Sequence, residues 1–448
     1  MSLPLDPSER LRFSRREWLK VSALAGVGAA STSWLRPLAA DVARHPERIR
    51  SCILLWMPGG PSQTDTFDLK PEHANGGPYK PIETSVPGIR ISEHLPLLAR
   101  QMDKLAIIRS MQTQEADHDR ASFYLRTGYQ AQGGIQYPSL GSLVCREGDD
   151  PDSALPGFVS VASPRLASDS SYGAGYLGPQ FAPMIVGNTS NFADYDNPDI
   201  RSGTALRVPE ILPPASIGAA QYRGRTDLLA ALQTGFAARH PGVGVDTIQS
   251  AQRRALRLAA SPLTKTFDLS EEPESLRGEY GMNLFGQGCL LARRLVEQRV
   301  PMIELTLGGW DTHIENFSSV RMLSRALDQG WSTLMRDLAD RGLLDSTLIV
   351  WMGEFGRTPT INPQAGRDHF PTAWSTVLAG GGIRGGQVYG GTSADGTEIA
   401  DKPVSVPNLL ATICSALGID FQKQHPSNVG RPIRIVEKGA MPIQEILA

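Results

Sequence analysis

The chain predicts a three-layer α/β/α sandwich with a mostly parallel central sheet, on three observations. Short continuous apolar runs, SCILLWM (Ser51 to Met57), PMIELTL (Pro301 to Leu307) and STLIVWM (Ser346 to Met352), have the form of strands buried on both faces. Segments of helical periodicity alternate with them, most clearly Phe285 to Glu297, where Leu290, Leu291 and Leu295 share one face. Glycine-bearing loops carrying carboxylates and imidazoles follow the runs, and parallel sheets build their sites in the crevice outside the carboxyl ends of strands.

In chain order, Ser51 to Met57 is the first strand, ending at Pro58-Gly59-Gly60. Leu105 to Ile108 and Gly157 to Val161 are shorter runs of the same kind, with helical periodicity at Ala121 to Leu125 and Ser139 to Cys145. Residues 163–264 differ: they are rich in Ser, Gly, Pro and Asn as far as Pro214, then helical and basic from Tyr222 to Arg257, and read as an insertion or cap over one end of the sheet. A helix over Ser319 to Arg341, a strand at Val377 to Leu378 and a helix from Val406 to Leu417 with Leu409, Leu410, Ile413 and Leu417 inward complete the pattern.

The amino end reads as an export signal. Ser14-Arg15-Arg16-Glu17-Trp18-Leu19-Lys20 precedes a mild apolar stretch from Val21 to Leu35 and the small residues Leu38-Ala39-Ala40, which resembles a twin-arginine signal. The stretch falls short of the roughly 20 strongly apolar residues of a spanning helix. Cleavage near Ala40 is therefore expected over anchoring, with the translocation machinery as a partner, 41–448 as the mature α/β domain and a periplasmic or otherwise extracytoplasmic location. Removing residues 1–40 leaves 38 Lys/Arg against 43 Asp/Glu, a net of −5 that offers no basic field for nucleic acid. The four cysteines are far apart without a CxxC pair and read as buried thiols, not a disulfide framework.

Chemistry concentrates in five motifs. GGPSQTDTFD after the first strand carries Asp65, which can reach a metal or cap a turn. GGWDTH contains Asp311 and His313, two apart after a strand, a spacing that lets both address one ion. GEFGRT contains Glu354, whose burial at a strand end calls for a metal or Arg357 as partner. GRDHFP supplies Asp368 and His369 as neighbouring ligands or as ligand and orienter. Together Asp65, Asp311, His313, Glu354, Asp368 and His369 are the candidate ligands of a divalent metal, and mixed O/N donors admit Zn, Mn, Ca or Mg. Arg357 and Arg367 are candidates for holding an anionic group bidentately.

The fifth motif, Asp117-His118-Asp119-Arg120-Ala121-Ser122 continuing to Thr127-Gly128, resembles the nucleophile helix of sulfatases, in which a Cys or Ser opens a CxPSR pattern ahead of a TG pair. Counting back from that pair puts His118 at the nucleophile position, although neither the Pro nor the Arg of the pattern falls in place. His118 is thus a candidate metal ligand, general acid or base, or phosphorylated nucleophile, with helix capping as the structural alternative. No cysteine sits in a CxPSR context, so formylglycine is not expected.

From the signal through GGPSQTDTFD, DHDRASFYLRTG, LPGFVSV, GCLLARRLVE, GGWDTH, LLDSTLIVWMGEFGRTP, GRDH and AGGGIRGGQVYG, the chain resembles the bacterial exported domain-of-unknown-function family DUF1501 of the alkaline phosphatase and sulfatase superfamily. The resemblance implies an alkaline-phosphatase-like fold and a metal site drawn from the first-strand Asp, the nucleophile helix and later Asp/His motifs. By that pattern Glu354 stands at the Asp of the sulfatase DHG motif and Phe355 at its His, while Asp311 and His313 lie near the phosphatase DxxxH motif with altered spacing. The implied function is metal-dependent hydrolysis of sulfate or phosphate esters of small molecules or saccharides. The alternative is a non-catalytic, metal-stabilised binding protein on the same scaffold, serving as a saccharide or cell-surface module.

Overall fold

The computed structural model describes residues 51–148, 150, 152–162, 169–187, 198–208, 211, 216–240 and 243–448. The export segment, residues 14–40, lies outside the described residues.

The main strands are β1 (Ser51–Trp56), β2 (Leu105–Gln112), β3 (Phe158–Val161), β4 (Met184–Val186), β5 (Met302–Thr306), β6 (Thr347–Met352), β7 (Trp374–Gly380), β8 (Gln387–Tyr389) and β9 (Val404–Ser405). They form one sheet in the order β8-β2-β7-β6-β1-β5-β3-β4, with β9 also beside β2. Every pairing is parallel except those of β7, which runs antiparallel to both β2 and β6. β1 lies between β5 and β6, with Trp56 level with Thr306 and Met352, so the loops after all three strands leave the same edge. β2 points the same way and delivers His118 to that edge.

The alternation of side chains assigns each face its helices. Cys52, Leu54, Trp56, Met302, Val350 and Met352 share a core with Leu125 of α1 (His118–Thr127), Leu143 of α2 (Leu140–Gly148) and Leu409, Leu410 and Ile413 of the carboxyl-terminal helix Val406–Ala416. On the opposite face Gly288 of Leu284–Glu297 sits against Val161 and Leu305, close enough that an added Cβ would touch both. That helix packs on Asn316–Asp340, whose Val320, Leu327, Trp331, Leu334 and Leu338 are buried. Each fully buried aliphatic or aromatic side chain contributes roughly 1.5–3 kcal/mol, so helices on both faces keep the sheet edges rigid around the loops they carry.

β2 continues four residues beyond the apolar run Leu105 to Ile108, because Arg109 finds partners in the carbonyls of Phe67 and Arg90 at 2.8 and 2.9 Å. Within the stretch 163–264, Met184–Val186 is the edge strand of the sheet, paired with β3. The later half of that stretch forms the helices Ala219–Arg239 and Val243–Ala259. All four cysteines are buried, and none is in a disulfide.

Candidate metal centre

Four loops at the carboxyl edge supply the site, and backbone geometry brings them together. Gly59 has φ +107°, and a Cβ there would lie 2.3 Å from the Asp311 nitrogen, so only glycine lets the first loop touch the third. Its N–H donates to Glu354 Oε1 at 2.7 Å. Gly356–Arg357 pairs antiparallel with His369–Phe370, setting Arg357 opposite His369. Asn362 binds the other two segments, donating to the His313 carbonyl at 2.9 Å and to Asp368 Oδ1 at 3.3 Å while accepting from the Gly366 N–H at 2.9 Å. α1 begins at His118 because Asp117 caps it, accepting the Arg120 N–H at 3.1 Å.

Three imidazoles are oriented by the same device. Nδ1 of His118 is 2.6 Å from Glu354 Oε1, Nδ1 of His313 is 2.7 Å from Asp368 Oδ1, and Nδ1 of His369 is 2.7 Å from the Ala116 carbonyl. Each partner accepts, so each Nδ1 carries the hydrogen and each Nε2 presents a lone pair. Those Nε2 atoms converge on Asp311, at 3.4 Å for His118, 3.1 Å for His313 and 3.4 Å for His369. The His313 and His369 Nε2 atoms lie 3.0 Å apart. Lone pairs on two imidazoles and a carboxylate at such distances repel one another unless a proton or cation sits between them.

The fit to a metal rests on this donor set and on two orphaned atoms. His118, Asp311 and His369 each offer a ligand atom, all within 4.8 Å of one another. His118 Nε2 and Glu354 Oε2 are buried without a hydrogen-bond partner. Asp311 and His313 are about half exposed, at 48% and 42% of their side-chain surface, which leaves an approach from solvent.

Electrostatics separates the two imidazoles nearest the strand ends. Burial pulls the His118 pKa down, but the hydrogen bond and charge of Glu354, with Asp311, outweigh it and leave the value raised. For His369, burial together with the Arg357 and His118 charges lowers the pKa against the opposing Ala116 carbonyl. Burial tends to raise the Asp311 carboxyl, yet Arg357 hydrogen-bonded to it holds the value below the usual carboxylate range. Asp368 is lowered chiefly by its hydrogen bond from His313.

The structure places the remaining expected residues behind this cluster or away from it. Glu354 and Asp368 stand behind the cluster as partners of His118 and His313, each with an oxygen on a ring Nδ1. Asp65 does not join the cluster: Arg367 donates to its two oxygens at 2.7 and 3.1 Å, with Ser62 at 2.5 Å and Asn316 at 2.8 Å, and both ion-pair partners are fully buried. Arg367 turns its remaining N–H groups onto the carbonyls of Thr358, Pro359 and Asn75. Arg357 is equally buried and reaches Asp311 at 2.5 Å while donating to the carbonyls of Gly59, Gly60 and Arg367. It braces the carboxylate that the histidines face.

Three contributors were missed by reasoning from side chains. The Ala116 carbonyl and the Gly59 N–H are backbone groups with no side-chain signature, while Asn362 sits before Pro363, an Asx-turn signal that could have marked it. The buried ion pair of Arg126 with Glu304, 2.5 Å across, lies beneath the strand ends and joins α1 to β5.

Comparison with curated proteins finds no match. Among solved structures the chain is similar to the lipoteichoic acid synthase LtaP from Listeria monocytogenes, at 9% identity over 88% of this chain and 76% of that one, with a TM-score of 0.42. It is similar to the PsFucS1 sulfatase from Pseudoalteromonas sp. at 12% identity over 86% of this chain and 71% of that one, with a TM-score of 0.38. It is also similar to the alkaline phosphatase from the Antarctic bacterium TAB5, at 12% identity over 84% of this chain and 99% of that one, with a TM-score of 0.36. The family model described as "Protein of unknown function (DUF1501)" matches residues 49–447, and the chain belongs to that family.

Proposed function

We propose that the protein is a metal-dependent hydrolase of sulfate or phosphate esters acting outside the cytoplasm. The observation that supports it is the convergence of His118, His313 and His369 Nε2 on Asp311, each ring fixed from behind by an acceptor at Nδ1. Those four side chains would hold a divalent ion, and an imidazole-rich set favours zinc over calcium or magnesium. A bound ion there supplies Lewis-acid polarisation of the ester oxygen and activation of a water.

The protein's own groups prepare the site. Glu354, Asp368 and the Ala116 carbonyl hold the ring tautomers, and Arg357 fixes Asp311 from the buried side. The half-exposed rim of Asp311 and His313 is the side from which a small-molecule or saccharide ester and water would approach. The ester class itself follows from the resemblance of the α1 motif to the nucleophile helix of sulfatases, with His118 at the nucleophile position. Export by the twin-arginine route follows from Arg15-Arg16, and among the described residues no helix is long and apolar enough to cross a membrane.

Metal content and turnover on a panel of sulfate and phosphate esters, measured on wild type and two variants, test the reading. His369→Ala is expected to lower bound metal, and His118→Ala to lower turnover by roughly two orders of magnitude or more. Metal-replete wild type inert on every ester would overturn the hydrolase in favour of a metal-stabilised binding module.

A further inference from the structure

The helix Ala219–Arg239 is 21 residues long, and none of its residues is buried. Arg225, Leu229, Leu232, Phe236 and Arg239 follow one another at alternating steps of four and three, so they form a single row along the helix. Leu232 is 63% and Phe236 49% exposed, and Leu228 at 61% widens the row. Ile248 on the next helix, Val243–Ala259, is 51% exposed and lines a groove of about 460 Å³ together with Leu232 and Phe236. The two helices are joined by polar contacts, Gln249 donating to the Gln233 carbonyl at 2.9 Å and Gln233 to Gln252, while Leu232, Phe236 and Ile248 remain about half exposed or more.

Charge identifies the occupant. Residues 219–259 hold six arginines against two aspartates, a net of +4 in a chain whose net is −2. The row places an arginine at each end of its apolar centre, an arrangement in which leucine and phenylalanine enter an acyl boundary while guanidinium groups reach up to headgroup phosphates. A protein groove would leave Arg225 and Arg239 needing two acidic partners at fixed spacing, whereas an anionic lipid surface satisfies them anywhere. No described helix is long and apolar enough to cross a bilayer, so the contact is a seat on the surface.

We propose that the hairpin of Ala219–Arg239 and Val243–Ala259 docks the protein on an anionic lipid surface. The test is sedimentation of the full chain with vesicles of phosphatidylcholine alone or mixed with phosphatidylglycerol. Wild type is expected to partition onto the mixed vesicles more strongly than onto the neutral ones. Leu232→Glu/Phe236→Glu should weaken this roughly thirtyfold or more, and Arg225→Ala/Arg239→Ala roughly tenfold, on the mixed vesicles only. All four positions are exposed, and an unchanged circular dichroism melt verifies that each variant folds. Partition of the variants equal to wild type would assign any binding to another segment and overturn the proposal. Concentration-dependent dimerisation lost in Leu232→Glu/Phe236→Glu, without lipid binding, would overturn it in favour of a second copy of the chain.

Discussion

Replacing Arg367 tests whether the carboxylate nearest the first strand belongs to the metal site or to the framework beneath it. Arg367 and Asp65 are both fully buried, and the guanidinium contacts the two carboxylate oxygens at 2.7 and 3.1 Å. Arg367→Ala leaves the Asp65 charge in a low-dielectric interior with only Ser62 at 2.5 Å and Asn316 at 2.8 Å donating to it, and strips a donor from the carbonyls of Thr358, Pro359 and Asn75. Removing one partner of a buried pair costs about 3–5 kcal/mol; the two surviving donors set the expectation near 4 kcal/mol. Asp65→Asn should cost about 3 kcal/mol, because the amide keeps one acceptor for the fork. The double variant Asp65→Asn/Arg367→Met should lose clearly less than the sum, since both charges leave together. Urea unfolding followed by tryptophan fluorescence measures this as a shift of midpoint at unchanged slope, with metal content per folded molecule unaltered in all three. Should Arg367→Ala remain within about 1 kcal/mol of wild type while losing metal or ester turnover, the framework assignment of Asp65 and Arg367 is wrong.

Three further expectations concern the loops, the pH response and export. At Gly366 an added Cβ would fall 1.8 Å from the His313 carbonyl oxygen, so Gly366→Ala should displace His313 and Asp368 and weaken zinc binding roughly ten- to a hundredfold in equilibrium dialysis; unaltered affinity would count against the loop packing. Burial pushes the Asp328 carboxyl from 3.8 to about 6 despite the N–H groups of Leu97 and Leu98 at 2.9 and 2.8 Å. Between those values the folded state holds the extra proton, so this group makes stability fall as pH rises, by roughly 3 kcal/mol in all. Asp328→Asn should therefore flatten the decline of Tm over that window relative to wild type, and identical slopes would refute the assignment. Replacing Arg15 and Arg16 with lysine should trap full-length precursor in the cytoplasm on fractionation, and undiminished export would exclude the twin-arginine route.

Local chemistry made much of this protein legible before folding. The runs ending at Met57, Leu307 and Met352 are apolar without alternation, as strands covered on both faces must be, and their glycine-bearing loops mark where backbones approach closely. From that alone Asp311, His313 and His369 belong near one another, since parallel strands discharge their loops at one edge. The antiparallel course of β7 was not legible, because Val377 and Leu378 satisfy either direction equally. Nor was the division of labour among the carboxylates. Asp65 and Asp311 look alike in the chain, each an aspartate in a glycine-bearing loop after a strand, yet Asp65 is fully buried against an arginine 302 positions away and Asp311 keeps 48% of its side chain in solvent. Composition and spacing report which donors reach the sheet edge. Which oxygen meets a guanidinium and which meets an imidazole depends on how four loops pack across hundreds of residues, because a buried charge must find its partner in space and nothing in its own neighbourhood of the chain names that partner.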